Sequence, residues 1–203
     1  MPSLGVMIGY EVWLMARPMT RHDWSHLGIP DPSRHGGDGI TAGLHPVDSI
    51  ILSDVEQALT VLNTVTHSGE WRLPTEAEWE VACRAGTNSR WWFGDDGREL
   101  DKASWYSANA GISTCIVGQK DPNQWGFHDM LGNVREWCSD AWLPSHVGRP
   151  IDGSPAVGVD HRRPARGGAW MCESLSCRAS SRVALDPEVR SDAVGVRLAW
   201  TPT

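Results

Sequence analysis

Residues 125–142 read WGFHDMLGNVREWCSDAW, and three of the chain's 12 tryptophans fall within this one stretch. Outward from it the aromatic usage stays lopsided, with 2 Tyr and 2 Phe against tryptophans spread from Trp13 to Trp200. A tryptophan fills much volume and needs a partner for its indole N–H, so a chain this rich in it can anchor a domain with little regular structure. The rest of the sequence has that character. Among its 21 Gly and 13 Pro lie residues 28–46 and 143–164, which show no hydrophobic period and read as loops. Loops of that length in a compact domain are functional or pinned by anchors.

At 203 residues the chain supports one apolar core, so a single domain over 1–203 is expected. Hydrophobic residues at 40% and charged residues at 21% argue against wholesale disorder and coiled coil. No apolar run reaches the roughly 18 residues of a spanning helix, and the opening MPSLGVMIGYEVW has no basic start or cleavage site. The expectation is a soluble chain, cytoplasmic as synthesised, without signal peptide or membrane insertion, unless another route displays it on a virion or cell surface. The net charge of −7 gives no reason to expect nucleic acid as a partner. Residues 149–203 are the exception at +2, and only Lys102 and Lys120 of the basic residues are lysines. Arginine suits fixed, planar pairing with carboxylates and carbonyls, so this bias points to structural clamps. Five cysteines without a CxxC pair read as reduced thiols, with Cys83 and Cys138 packed.

Two helices are well marked. In residues 53–65 Ser53 and Glu56 form a capping-box pattern ahead of Val55, Ala58, Leu59 and Leu62 at helical spacing. In residues 71–86 Thr75 and Glu78 repeat the pattern, with Gly86 as the stop. A weaker helix spans 20–27, and short strands are expected at 6–13, 115–117 and 195–200.

The motifs GYEVW (9–13), HPVDSI (45–50), WRLPTEAEWEVACRAG (71–86), the 125–142 stretch, RGGAW (166–170) and GVRLAW (195–200) stand in the order found in the formylglycine-generating enzyme, or sulfatase-modifying factor, family, which the chain resembles from about Gly9 to Trp200. The resemblance implies an α+β, loop-rich variant of the C-type lectin-like fold. It would have two main helices, short antiparallel sheets, and a ligand-facing C-terminal segment over 166–200. The family holds copper-dependent oxidases that turn a peptidyl cysteine into formylglycine, iron-dependent sulfoxide synthases, and noncatalytic binding proteins. The last group includes the variable proteins of diversity-generating retroelements. Fold alone decides nothing among them, and side chains must.

The oxidases hold Cu(I) between two thiolates, as soft sulfur ligands select that ion, and Cys172 and Cys177 have the family's spacing after a glycine pair. The serine that follows those glycines in the oxidases is here Ala169, and Ser176, Ala179 and Ser180 replace aromatic and basic residues. An oxidase without that polar group lacks transition-state stabilisation. The noncatalytic branch fits the frame Arg178, Arg182, Pro187, Arg190, Gly195 and Arg197, which resembles the family's binding set. Around it stand miscellaneous side chains as ligand-binding candidates: Trp170, Met171, Glu173, Ser174, Leu175, Ser176, Ser180, Val183, Leu185, Glu188 and Val189. A rigid surface with exchangeable tips suits recognition of a protein or cell-surface ligand, because ordering costs are met before the ligand arrives. The main reading is therefore a retroelement-type variable protein. Its alternatives are the copper oxidase using Cys172 and Cys177, and a noncatalytic accessory subunit.

Asn133 and Glu136 could bind Ca²⁺ through the GNVREW turn, or could instead bond backbone amides. His22 and His26 have zinc-helix spacing without a third ligand, and GGDG at 36–39 lacks the helix and basic residue of a phosphate loop.

Overall fold

The computed structural model describes residues 7–36 and 39–203; the first residue of the expected opening strand, the first six residues of the stretch read for a leader and the centre of GGDG lie outside them. In chain order the elements are β1 (Trp13–Leu14), α1 (Arg21–Ser25), α2 (Leu52–Val65), β2 (Gly69–Arg72), α3 (Glu76–Arg84) and α4 (Leu100–Ala103). They continue as β3 (Arg135–Trp137), β4 (Arg163–Arg166), β5 (Arg182–Leu185), β6 (Val194–Gly195) and β7 (Ala199–Pro202). One sheet has the order β1-β7-β2, and the other β5-β4-β3-β6. All pairs are antiparallel except β3 with β6, where Glu136 faces Gly195. None of the helices among the described residues is long and apolar enough to cross a membrane.

The α3 cap forms as its sequence dictates: Thr75 Oγ1 accepts from Glu78 N at 3.1 Å, and the Glu78 carboxylate accepts from Thr75 N at 2.7 Å. Ala85 and Gly86, both at positive φ, then end the helix. Thr20 caps α1 in the same way, with Asp23 as the reciprocal partner. At α2 the expected cap is wrong. Ser53 lies inside the helix, and the Asp54 carboxylate accepts from Ile51 N at 3.0 Å, so the helix begins at Leu52.

The strands correct the sequence reading further. The opening strand shrinks to β1, and 195–200 is divided between the two sheets. Residues 196–198 leave the ladder where the Arg197 side chain turns into the core to meet Glu136. Residues 115–117 form no strand, because the Asn133 side-chain amide occupies the backbone N–H and C=O of Cys115, each at 3.0 Å.

Two apolar clusters fill the interior. One packs Trp24, Ile50, Val55, Ala58, Trp137, Val196 and Leu198 between α2 and the sheets. The other gathers Trp79, Cys83, Trp91, Leu100, Met130, Leu131 and Cys177 around α3. Indoles also tie down loops: Trp24 Nε1 donates to Pro30 O at 3.0 Å, and Trp137 Nε1 to Ile50 O at 3.2 Å. The 143–164 loop is held by Thr75 Oγ1 donating to Gly153 O, Ala156 N to Asp140, and Arg182 to Leu143 O.

Candidate functional site

The segment after β4 is shaped by its glycine pair. Gly167 and Gly168 have φ of +98° and +76°, values that L side chains rarely adopt. A Cβ on Gly167 would meet the Trp79 ring at 3.1 Å, and one on Gly168 would meet Cys177 Sγ at 2.7 Å. The turn therefore closes directly onto Cys177. Trp170 N then donates to Asn133 O at 2.8 Å and Cys172 N to Ala169 O at 2.9 Å, and a 3₁₀ turn follows at Ser174–Cys177.

Arg166 holds this segment from beneath. Its side chain is wholly buried and donates to the carbonyls of Ala179, Ser180 and Ser181 at 3.1, 3.2 and 3.0 Å. The same guanidinium pairs with Glu80 and lies 3.5 Å from Glu76. Glu76 also pairs with Arg182 at 2.6 Å and Arg149 at 2.7 Å. Burial alone would raise the pKa of Glu76 and Glu80, but the surrounding arginines hold both below the ordinary glutamate range. Three arginines of the expected frame act as clamps. Arg182 bonds Glu76 and the Leu143 carbonyl, Arg190 bonds Asp54 at 2.7 Å and Ser49 O at 2.8 Å, and Arg197 bonds Glu136. Arg178 departs from the pattern, since its side chain has no hydrogen-bond or ion-pair partner among the described residues and its Nε is sealed from solvent.

The ligand-binding candidates separate into two groups. Met171, Glu173, Leu175, Ser176, Ser180 and Glu188 are exposed. Trp170, Ser174, Val183, Leu185 and Val189 are half-buried. Val183, Leu185 and Val189 pack against the first apolar cluster, and Trp170 Nε1 donates to Asp192 O at 3.2 Å. Strand β5, which sequence periodicity missed, explains the inward packing of Val183 and Leu185. A groove of about 380 Å³ brings Leu175, Ser176 and Ser180 together with Arg135 and Arg178. Sequence reading missed both arginines as groove residues: Arg135 sits in the distant 125–142 stretch, and Arg178 had the spacing of a clamp.

Cys177 is fully buried, and Cys172 packs half-buried beside the same cluster with its sulfur accepting from Arg135 Nη1 at 3.0 Å. Burial pushes the Cys177 thiol up to about 12, with Cys172 adding to the rise and Ser104 and Arg135 opposing it. Ala169 is fully buried and offers no polar group there.

The GNVREW turn spends its polar groups inside the protein. The Glu136 carboxylate accepts from Arg197 Nε at 2.9 Å, Arg197 Nη2 at 3.0 Å and Trp79 Nε1 at 2.5 Å. The Asn133 amide is engaged by Cys115. Both side chains are hydrogen-bonded, Asn133 to the Cys115 backbone and Glu136 to the Arg197 and Trp79 side chains in place of the expected backbone amides. His22 and His26 stack edge to face at 4.6 Å, and the described residues hold no cluster of three or more potential metal ligands.

Several known proteins are similar to this chain. A formylglycine-generating enzyme from Streptomyces coelicolor is 32% identical over 159 residues, covering 68% of this chain and 50% of that protein. The chain spans about half the length of the curated formylglycine-generating enzymes it matches. Among solved structures, Treponema denticola variable protein 1 superposes with a TM-score of 0.84 at 28% identity, covering 94% of this chain and 84% of that one. PvdO from Pseudomonas aeruginosa gives 0.84 at 27%, covering 97% and 82%. The fold is the α+β, C-type lectin-like one of the variable proteins. The family model described as "Sulfatase-modifying factor enzyme 1-like domain" matches residues 9–202. With the glycine-pair turn, the capped α3 and the Glu136–Arg197 core pair falling inside that match, the chain belongs to the sulfatase-modifying factor enzyme 1-like family.

Proposed function

We propose that this chain is a recognition module, functionally akin to the variable proteins of diversity-generating retroelements, which presents its 170–189 surface to a protein or cell-surface ligand. One observation carries the reading. The side chains of Met171, Glu173, Leu175, Ser176, Ser180 and Glu188 form no hydrogen bond or ion pair with the described protein, while Arg166 and Arg182 clamp the backbone and strand beneath them. Such tips are free to differ without loss of fold, and a pre-ordered surface lowers the entropic cost of binding. The similarity to Treponema denticola variable protein 1 supports the same reading.

A copper oxidase is the second reading, favoured by the two thiols beside one apolar cluster and by the formylglycine-generating enzymes among the relatives. Cys172 and Cys177 would hold Cu(I), which supplies oxygen chemistry when bound. Their surroundings do not fit such a centre, because the fully buried Ala169 has no hydroxyl to offer.

The test pairs two measurements on the purified chain. Binding to an array of proteins and glycans should be lost when the six exposed tips are changed together to alanine, with the melting temperature unchanged. Tight stoichiometric Cu(I) binding that vanishes in Cys172→Ser, with oxygen consumption on a cysteine peptide, would overturn the recognition reading in favour of the oxidase.

A further inference from the structure

Arginine pairing in this protein is nearly complete. Among the described buried and half-buried arginines, all but Arg135, Arg163 and Arg178 have a carboxylate within 4.0 Å. Arg163 donates to the carbonyls of His161 and Arg162. The two that remain both line the 380 Å³ groove. Among the described residues the Arg135 guanidinium donates only to the Cys172 sulfur, at 3.0 Å, and the Arg178 guanidinium to nothing, its Nε buried without an acceptor. A buried charged donor left unmade is costly, and of the three arginine nitrogens so placed among the described residues, those of Arg149 and Arg166 belong to guanidiniums already paired with Glu76 or Glu80. Arg34 and Arg90 also lack an acceptor for their side chains, but both are exposed to water, which satisfies them.

The groove offers further donors. The hydroxyls of Ser176 and Ser180 have no partner among the described residues, whereas Ser181 Oγ donates to Leu175 O at 3.2 Å. No carboxylate among the described residues lines the groove, even though the chain as a whole is acidic at −7. Two guanidiniums without a carboxylate partner and two free hydroxyls lining one concave surface form a donor-rich site, and a planar guanidinium fork matches the paired oxygens of an oxyanion.

We infer that this groove takes an oxyanion of the ligand, a carboxylate or a sulfate or phosphate ester, gripped by Arg178 and Arg135 with Ser176 and Ser180 as supporting donors. The assignment rests on the recognition reading and names the ligand chemistry of that same surface. The oxyanion supplies the acceptor that Arg178 Nε lacks among the described residues.

The experiment titrates the whole chain with sodium acetate, sulfate and phosphate at constant ionic strength balanced by chloride, following the arginine Nε–Hε resonances. Saturable shifts of Arg178 and Arg135 are expected, with apparent affinity weakened about tenfold or more in Arg178→Gln, as loss of a charge-assisted hydrogen bond implies. Arg178→Lys should recover only part, because the ammonium keeps the charge and loses the fork. A preference for acetate assigns a carboxylate, and a preference for sulfate or phosphate assigns a tetrahedral ester. No saturable shift at Arg178 with any of the three anions, or an undiminished response in Arg178→Gln, overturns the inference. Met171→Ala/Glu173→Ala separates the two proposals. Array binding that depends on those tips without an anion response refutes the groove alone, and an anion response with tip-independent array binding refutes the recognition surface alone.

Discussion

Arg166→Met is the sharpest test of how the candidate surface is held. The guanidinium it removes is fully buried, pairs with Glu80, lies 3.5 Å from Glu76 and donates to three consecutive carbonyls at 179–181. Breaking a buried ion pair by deleting one partner costs about 3–5 kcal/mol, because the other charge stays buried. Here Glu76 keeps Arg182 and Arg149, and Glu80 keeps Arg84 at 2.8 Å, so the charge penalty falls at the lower end, about 3 kcal/mol. For a chain of this size that lowers the melting temperature by about 6–12 °C. Urea unfolding followed by tryptophan fluorescence measures the stability, and amide exchange at residues 177–182 measures the clamp. The Ser181 amide, which donates to Arg178 O at 2.9 Å, should exchange faster by more than the global loss requires. Arg166→Lys should fall between the two, since one ammonium cannot span three carbonyls and two carboxylates. A loss under about 1 kcal/mol, with exchange at 177–182 unchanged, would show that the segment is fixed without Arg166.

Gly168→Ala must place a Cβ 2.7 Å from Cys177 Sγ and 2.9 Å from Ser176 O at a φ of +76°, so left-handed strain of about 1–2 kcal/mol adds to overpacking of about 1–3 kcal/mol. A urea midpoint equal to the parent's would refute the described turn. Met171→Ala, Glu173→Ala and Leu175→Ala should each stay within about 0.5 kcal/mol of the parent, because these exposed side chains form no hydrogen bond or ion pair among the described residues; a larger loss in calorimetry would make them structural. Acid should unfold the protein through its paired glutamates. Burial would raise Glu78, but Arg72, Thr75 and Tyr10 hold it below its ordinary value, as arginines do for Glu76 and Glu80. With folded-state pKa values depressed, this stability is present above the unfolded value of about 4.3 and is lost as pH falls through the folded values. Asp129 and Asp140, raised chiefly by burial, act with the opposite sign and only soften the slope. The urea midpoint should therefore fall steeply between about pH 5 and pH 3, and less steeply in Glu78→Gln; equal slopes would contradict the pairing.

The sequence by itself determined what depends on neighbours a few residues apart. The Thr75–Glu78 box and the apolar face of Val55 and Ala58 were legible because caps and helix faces are local devices. At α2 the local signal was ambiguous, since Ser53 and Asp54 are adjacent candidate caps and only the path of the backbone at Ile51 selects Asp54. The ordered motifs carried the resemblance that gave the family and, through it, the fold. Tertiary structure alone decided the partners of the charges. Nothing in the local sequence joins Glu136 to Arg197, 61 positions away, or Arg166 to Glu80, 86 positions away. The same limit hid which frame arginine was free: Arg178 and Arg182 look alike in the sequence, yet Arg182 reaches Glu76 across the fold and Arg178 faces serines. Long-range pairing is fixed by where the backbone carries each group, and a buried charge takes whichever counter-charge that geometry brings within reach.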